Sequence, residues 1–365
     1  MKRIWIQAAC IVVLCAVLLT GCALPGSGTA ASASTADPLT GQELLYPGER
    51  PTAVVIDNTS GVTQWGIGSA SVVLEAQTES QAQTSLCLVY PSVGATPTVG
   101  PVTLGQDVYW RVLFGQQVLP VQRGCGLYAR RYLEYFGLRA VDALEVGRNA
   151  FFSGENGWSN APLWCTSGTA LNKVLSSLSI EKTLEPEGAA SAAADTETDV
   201  LAVPPLLPQR ANTRVPDATA ADAEQVWVHF GTESSTGFQY AVDTGTYRML
   251  RADGTPQRDA NTGAQAEFDN LLILYCSSSL RDDDHTLDYD LTMGGGVWLN
   301  GGHLWELTWT QGTNSTFALY DTDGRPLTLE SGRSYLALVP SLTGNELTVT
   351  NSAGENLLAR TENGT

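Results

Sequence analysis

The chain of 365 residues carries 38 acidic and 20 basic side chains, which gives a formal net charge of −18 at pH 7. This length predicts two folded domains, because one hydrophobic core rarely grows beyond about 250–300 residues. Hydrophobic residues make up 43% of the chain and charged residues 16%, which excludes wholesale disorder, and the excess of acid argues against binding nucleic acid through a basic face.

The first 21 residues have the pattern of a secretory leader. Lys2 and Arg3 precede an apolar run over residues 4–19, and small residues lead to Cys22. The pattern resembles a bacterial lipoprotein signal, in which the cysteine is acylated and the peptide is cut before it. We therefore expect lipidation at Cys22 and an anchor on the extracytoplasmic face of the cell membrane. The alternative is an uncleaved membrane helix, for which the run is short, because a span needs about 20 residues.

The N-terminal half of the mature chain predicts a tether followed by a mixed α/β domain. Residues 22–46 are rich in Gly, Ser, Thr, Ala and Pro, which favours a flexible tether. The domain is predicted over residues 47–182, with strands that alternate with helical periodicity. The strands, of which the second and third form a hairpin, and then the two helices are expected at Pro51–Ile56, Ser71–Thr78, Thr84–Tyr90, Gln106–Val118 and Tyr128–Phe136.

The composition changes over residues 183–225, which are rich in Ala, Pro and acidic residues and contain no aromatic residue. No apolar period is sustained there, so this stretch is predicted to be a linker or a long mobile insertion.

The C-terminal domain, predicted over residues 226–345, should be mostly antiparallel β, with a tail over residues 346–365. Asn-Gly and Asp-Gly pairs supply the positive φ angles of tight hairpins between its strands. The expected strands are Val226–Phe230, Gly237–Val242, Tyr247–Arg251, Leu271–Ser277, Gly296–Leu299, Leu304–Trp309 and Tyr335–Val339. The whole is therefore predicted to be an α+β protein in which a mixed α/β domain precedes a β-rich antiparallel domain.

Several segments, spread over both halves of the chain, match the pattern of one known protein family. They are RPTAVVIDN at 50–58, SASVVLEAQTES at 69–80, VGPV at 99–102, APLWCTS at 161–167, YAVDTGTYRMLRADGTPQRDANTGA at 240–264, DNLLILY at 269–275, GGGVWLNGGHLWELTW at 294–309 and YDTDGRPLTLESGRSYLALVP at 320–340. These segments resemble the YerB-like lipoproteins, a two-domain family of unknown function. The resemblance implies that the chain is a divergent member of that family.

The chain departs from the family pattern where relatives carry basic or imidazole side chains. The corresponding residues here are Ser85, Thr103, Gln122 and Leu163. If those groups line a pocket in the relatives, this chain lacks its acid–base and anion-binding residues. Glu75 and Glu79 are then the clearest polar residues left for a binding site.

The sequence contains few residues that could form a catalytic or metal site. Its three histidines, His229, His285 and His303, lie in the β-rich half, outside any recognisable catalytic motif. The acidic run 282–285 and the Asp-Gly turn at 321–324 lack calcium-loop spacing and are interpreted as solvated hairpin tips. We expect no metal site and no cofactor.

Four cysteines follow Cys22, and each has a distinct sequence environment. Cys87 and Cys276 lie in apolar strands and are predicted to be buried, whereas Cys125 and Cys165 lie in loops flanked by glycine or serine. A disulfide, if one forms, should join Cys125 and Cys165, which the family resemblance places around one pocket.

These observations predict a non-enzymatic binding or scaffold protein at the cell envelope. Its partners are expected to be the membrane, through the lipid on Cys22, and an envelope protein or glycan, and not nucleic acid. The candidate binding residues are Glu75, Glu79, Cys125 and Cys165. The alternative is a hydrolase of cell-wall or extracellular glycan that uses Glu75 and Glu79 as paired carboxylates.

Overall fold

A computed structural model of the chain describes residues 36–80, 83–154, 163–185, 203–208, 217–232, 234–312, 316–341 and 346–358. The predicted leader and the lipidation site Cys22 lie outside the described residues. Within the described ranges, no helix is both long and apolar enough to cross a membrane.

Strands dominate the described part of the chain. In the first half they are Thr52–Asp57 (β1), Val72–Gln77 (β2), Thr84–Tyr90 (β3), Leu119–Gln122 (β4), Val141–Asp142 (β5), Phe152–Ser153 (β6) and Trp164–Cys165 (β7). In the second half they are Ala220–Ala221 (β8), Gln225–Phe230 (β9), Ser234–Ala241 (β10), Thr246–Leu250 (β11), Glu267–Phe268 (β12), Asn270–Cys276 (β13), Ser278–Leu280 (β14), Leu287–Tyr289 (β15), Met293–Asn300 (β16), His303–Gln311 (β17), Phe317–Tyr320 (β18), Pro326–Leu327 (β19), Ser334–Pro340 (β20) and Glu346–Thr350 (β21).

The helices of the described residues are short. They are Asp107–Val112 (α1), Leu127–Tyr135 (α2), Ala143–Val146 (α3) and Gly168–Asn172 (α4), with single 3₁₀ turns at Ile67–Ser69, Phe114–Gln116 and Gly147–Asn149. The helix predicted over Tyr128–Phe136 is confirmed as α2. The helix predicted over Gln106–Val118 is wrong beyond α1, because the chain tightens into the 3₁₀ turn and then enters β4.

One sheet contains strands from both halves of the chain. Its order is β19-β18-β17-β16-β13-β20-β2-β3-β1-β4-β5, with β8 added beside β17. The β2–β3 hairpin is confirmed, and β20 lies between β2 and β13 and runs parallel to both. The boundaries of the two domains stay a prediction, but the two segments meet in this sheet rather than at a linker.

The expectation of a mostly antiparallel C-terminal half is wrong for β20. All seven residues of this strand are buried, which is typical of a parallel strand covered on both faces. The mixed α/β layout expected for the N-terminal half is not confirmed as a separate domain. β1, β4 and β5 are parallel, with α1 and α2 between them in sequence, but these strands join a large mixed sheet and the helices are short.

A second sheet covers one face of the first. Its five strands follow the order β12-β11-β10-β9-β21, and all its pairs are antiparallel. The Phe238 ring of β10 lies 4.6 Å from the Tyr335 ring of β20, between ring centroids. Aromatic contacts of this kind join the two sheets into one core.

The opposite face of the large sheet is covered by α1, α2 and two segments predicted to be unpacked. Leu39, within the predicted tether, and Leu206 and Leu207, within the predicted linker, are fully buried in this second core. The Leu206 amide donates to the Pro38 carbonyl at 2.9 Å. The prediction of unpacked chain therefore does not hold at Leu39, Leu206 and Leu207, while the bounds of the tether and the linker stay a prediction.

Candidate binding site

Glu75 is a carboxylate in the middle of an otherwise apolar strand. It lies in β2, where its register partners are Leu86 of β3 and Ala337 of β20, and its side chain is fully buried. A buried carboxylate is costly unless donors surround it. Glu75 therefore needs partners from neighbouring elements.

Four side chains from four parts of the chain supply those donors. Asn58 Nδ2 lies 3.1 Å and Thr84 Oγ1 lies 2.6 Å from Glu75 Oε1. Thr236 Oγ1 donates to the same carboxylate at 2.9–3.0 Å, and the Tyr335 hydroxyl donates to Oε2 at 2.7 Å. Both carboxylate oxygens are thus held by groups that lie up to 260 positions away in sequence.

Burial raises the pKa of Glu75, although hydrogen bonds from Thr84, Tyr335, Thr236 and Asn58 oppose the rise. Burial also raises the pKa of Tyr335 well above its usual value, and the neighbouring Glu75 adds to that shift. Because hydroxyl groups can both donate and accept, this cluster can hold the carboxyl group with or without its proton.

A polar crevice lies over this cluster, between the end of β1 and the β10–β11 hairpin. Its volume is about 40 Å³, which has room for two or three water molecules. Its lining is Asn58, Thr59, Ser60, Gln64, Gln83, Ser234, Ser235, Thr236, Met249, Leu250, Arg251, Ala252 and Gln257.

Hydroxyl and amide groups make up most of that lining, and several are fixed by one another. Gln257 Nε2 donates to Gln64 Oε1 at 2.9 Å, and Gln64 Nε2 donates to the Asp57 carbonyl at 2.7 Å. The cation of the crevice, Arg251, donates to the Val62 carbonyl at 2.9 Å. The crevice can therefore offer a ligand neutral donors and acceptors together with the guanidinium of Arg251.

A serine–histidine contact lies at the rim of the crevice, and no motif in the sequence predicts it. His229 Nδ1 lies 2.8 Å from Ser235 Oγ, and the two residues are register partners on β9 and β10. Glu346 of β21 is the partner of His229 on its other side. Only the register of the β9–β10 hairpin could have indicated in advance that Ser235 and His229 lie side by side.

Glu79 lies at a different place from Glu75. It forms an isolated bridge with Thr286 beside the β14–β15 hairpin, whereas Glu75 is enclosed by the cluster described above. A hydrogen bond to the Asp283 carbonyl and nearby carboxylates raise the pKa of His285 on that exposed hairpin. The two glutamates are therefore not placed as a catalytic pair across one cleft, and the acidic run is a solvated hairpin tip as predicted.

The four cysteines of the described residues are free thiols. Cys87 and Cys276 are buried as predicted. The bridge expected between Cys125 and Cys165 is not formed, because Cys125 packs against the core under α2 while Trp164, next to Cys165, packs against the core between the sheets. Burial raises the pKa of the Cys165 thiol to about 12, which makes this thiol a poor nucleophile at neutral pH.

The residues that depart from the family pattern have structural partners. Ser85 Oγ lies 2.9 Å from the Tyr109 hydroxyl, and Gln122 Nε2 donates to Asp142 at 3.1 Å. The Thr103 amide donates to the Val55 carbonyl at 2.9 Å. These contacts connect neighbouring strands and loops. Within the described ranges, no three His, Cys, Asp or Glu side chains are grouped to hold a metal ion.

Comparisons with known proteins agree with this two-part organisation. The model for "Protein of unknown function (DUF3048) N-terminal domain" matches residues 39–181, and the model for the C-terminal domain of the same family matches residues 226–336.

One curated relative and one solved structure match most of the chain. The chain is 27% identical over 311 residues to "Putative lipoprotein YerB" of Bacillus subtilis (strain 168), which covers 84% of this chain and 86% of that protein. A crystal structure of YerB from Bacillus subtilis matches with a TM-score of 0.69 and 23% identity, over 86% of this chain and 100% of that one. The structural match shows a shared fold.

Proposed function

This chain belongs to the DUF3048 family of proteins of unknown function, and we propose that it is a lipid-anchored binding protein on the extracytoplasmic face of the cell membrane. The anchor is the acylated Cys22, and its support is the leader pattern together with a relative that carries the name lipoprotein. Replacing Cys22 with Ala should abolish metabolic labelling by a radioactive fatty acid. Equal labelling of the variant and the wild type would contradict the anchor.

The observation that carries the binding role is the polar crevice over Glu75. Its walls present amide and hydroxyl groups held in place by hydrogen bonds, such as those between Gln64 and Gln257. Preorganised neutral donors and acceptors match the hydroxyl groups of a sugar better than an anion or an apolar ligand. Because the crevice has room for only two or three water molecules, only a small group at the end of a glycan, such as a hydroxymethyl group, would enter it.

The test is a thermal shift with soluble cell-wall glycan fragments. Ser60 is exposed at the crevice rim, so Ser60→Trp should block entry without disturbing the core. Ala353 lies in an exposed turn outside the crevice lining, and Ala353→Trp is the matched control. A fragment at about 100 times its Kd should stabilise the wild type and Ala353→Trp by about 2.7 kcal/mol, and Ser60→Trp by far less. Equal stabilisation of all three would place binding elsewhere.

The alternative is a hydrolase of cell-wall or extracellular glycan. Glu75 and Glu79 do not support it, because they do not face one cleft. The Ser235–His229 contact is the one arrangement that favours hydrolysis, since a base beside a hydroxyl can activate it. Ser235 lies within a strand, however, and not at a sharp turn that would expose a nucleophile. If the alternative holds, turnover of a glycan or ester should disappear in Ser235→Ala while its melting temperature stays unchanged.

A further inference from the structure

Exposed apolar side chains are concentrated in one region of the molecule. Among the described residues, eleven large hydrophobic side chains are exposed, and six of them lie between residues 104 and 144. These six are Leu104, Phe114, Leu127, Tyr135, Phe136 and Leu144. Clustered exposure of this kind marks an interaction surface, whereas scattered single residues do not.

The helix α2 organises this surface. Its exposed positions 127, 130, 131, 134 and 135 follow the spacing of one helical face. The Phe136 ring lies 4.7 Å from the Phe114 ring and 4.8 Å from the Tyr135 ring, between centroids. At the other end of α2, Leu104 and Leu144 both approach Gly124. We call the surface formed by the six apolar residues, Arg130 and Arg131 the α2 face.

The charge of this region is opposite to that of the whole chain. Five arginines and three acidic residues lie between Arg123 and Arg148, in a chain of net charge −18. Of the three acids, Asp142 accepts the Leu144 and Gly124 amides, and Glu145 lies 3.9 Å from Arg139. Glu134 remains as the acidic side chain on the exposed face of α2.

The described end of the predicted tether, which begins at Ala36 and is called the tether root below, lies on the same side of the large sheet as α2. Leu39 packs in the core beneath the helices, and the Pro38 carbonyl accepts the Leu206 amide. Two residues before Leu206, the Pro204 carbonyl accepts from Gln116 at 3.3 Å, in the same 3₁₀ turn as Phe114. Ala36 lies fourteen residues after Cys22, a stretch that spans at most about 50 Å.

We propose that the α2 face lies on an anionic lipid bilayer, an inference that rests on the proposed anchor at Cys22. Tyr, Phe and Leu side chains favour the membrane interface, and the arginines favour anionic headgroups. A lipid on Cys22 holds the body near the bilayer, with the tether root beside this face. The acidic excess of the chain is repelled by anionic lipid, so an orientation with the arginines of the α2 face toward the bilayer is favoured.

The experiment uses the full-length lipidated protein in vesicles of phosphatidylglycerol and phosphatidylcholine. An environment-sensitive fluorophore is attached at Tyr135→Cys or at Val242→Cys, and lipids with a spin label in the acyl chain quench it. Tyr135 is 83% exposed and Val242 is 84% exposed, so the two positions are matched. Val242 directly follows β10, a strand of the five-stranded sheet that covers the other face of the large sheet. The chain without an added cysteine shows how much label the native thiols take up.

We expect strong quenching at position 135, none at position 242, and loss of the difference in pure phosphatidylcholine or in Arg130→Glu/Arg131→Glu. Equal quenching at both positions would overturn the proposal. If the fluorophore at position 135 is instead shielded to an extent that rises with the amount of protein per vesicle, and the shielding persists in neutral lipid, the α2 face binds a second copy of the chain. That result would also overturn the proposal. Flotation of the protein with the vesicles is measured separately, so a failed anchor is distinguished from a free α2 face.

Discussion

Replacing Glu75 with Ala should destabilise the fold strongly, because the carboxylate is the acceptor for buried hydroxyl groups from neighbouring strands. Tyr335 and Thr236 are buried and donate to Glu75. Each donor left without a partner costs about 1–3 kcal/mol, and the cavity left by the side chain adds about 1 kcal/mol. The expected loss is therefore about 3–7 kcal/mol, or a fall in Tm of about 4–10 °C for a chain of this size.

Glu75→Gln should cost only about 1 kcal/mol, since the amide keeps the shape and the hydroxyl groups of Thr236 and Tyr335 can turn to accept from it. Glu79→Gln is the control and should change the free energy of unfolding by less than about 0.5 kcal/mol. Denaturant unfolding at pH 7, followed by near-UV circular dichroism, measures all three variants. An alanine variant within about 1 kcal/mol of the wild type would refute the reasoning.

The raised pKa of Glu75 also fixes the sign of a pH dependence. The folded state keeps this proton to a higher pH than the unfolded chain, whose glutamate has a pKa of about 4.3. The contribution of Glu75 to stability is therefore fully present below about pH 4.3 and is lost as the pH rises through the folded-state pKa. The stability of the wild type relative to Glu75→Gln should fall over that range, and a difference that rises with pH would contradict the shift.

Three further predictions concern the chain outside the cluster. Limited proteolysis should cut first within the Ala- and Pro-rich stretch 183–225, yet the fragments should remain associated and melt together, because β20 pairs with strands of both halves. Fragments that separate on gel filtration would contradict this. Peptide mapping without reduction should find Cys125 and Cys165 unbridged, and a recovered disulfide-linked peptide would show the opposite. Ser179 has a φ of 53°, so Ser179→Gly should raise the free energy of unfolding by about 0.5–1 kcal/mol. The control Ser176→Gly should lower it. A calorimetric scan in which both variants are less stable than the wild type would argue against backbone strain at Ser179.

Local patterns in the sequence predicted the elements that depend on local physics. The β2–β3 hairpin, α2 and most strands of the second half follow from apolar alternation, helical spacing and turn residues. The place of β20 did not follow, because a continuous apolar run identifies a buried strand without naming its neighbours. Leu206 and Leu207 were overlooked because two leucines in a Pro-rich stretch produce no period.

The candidate site was only partly predictable for the same reason. Glu75 was identifiable as a carboxylate within an apolar run. Its partners Thr236 and Tyr335 lie 161 and 260 positions away, and no spacing rule connects residues so distant. The Ser235–His229 contact depends on hairpin register, which apolar patterns do not specify.

The most direct test of a binding role is to follow a labelled cell-wall glycan fragment in the presence of the purified protein. Retention of the fragment and its chemical integrity are measured in the same sample, for the wild type, Ser60→Trp and Ser235→Ala. We predict that the wild type retains the fragment unchanged and that Ser60→Trp does not retain it, while Ser235→Ala serves as the control for cleavage. Cleavage of the fragment by the wild type, absent in an equally stable Ser235→Ala, would contradict the account.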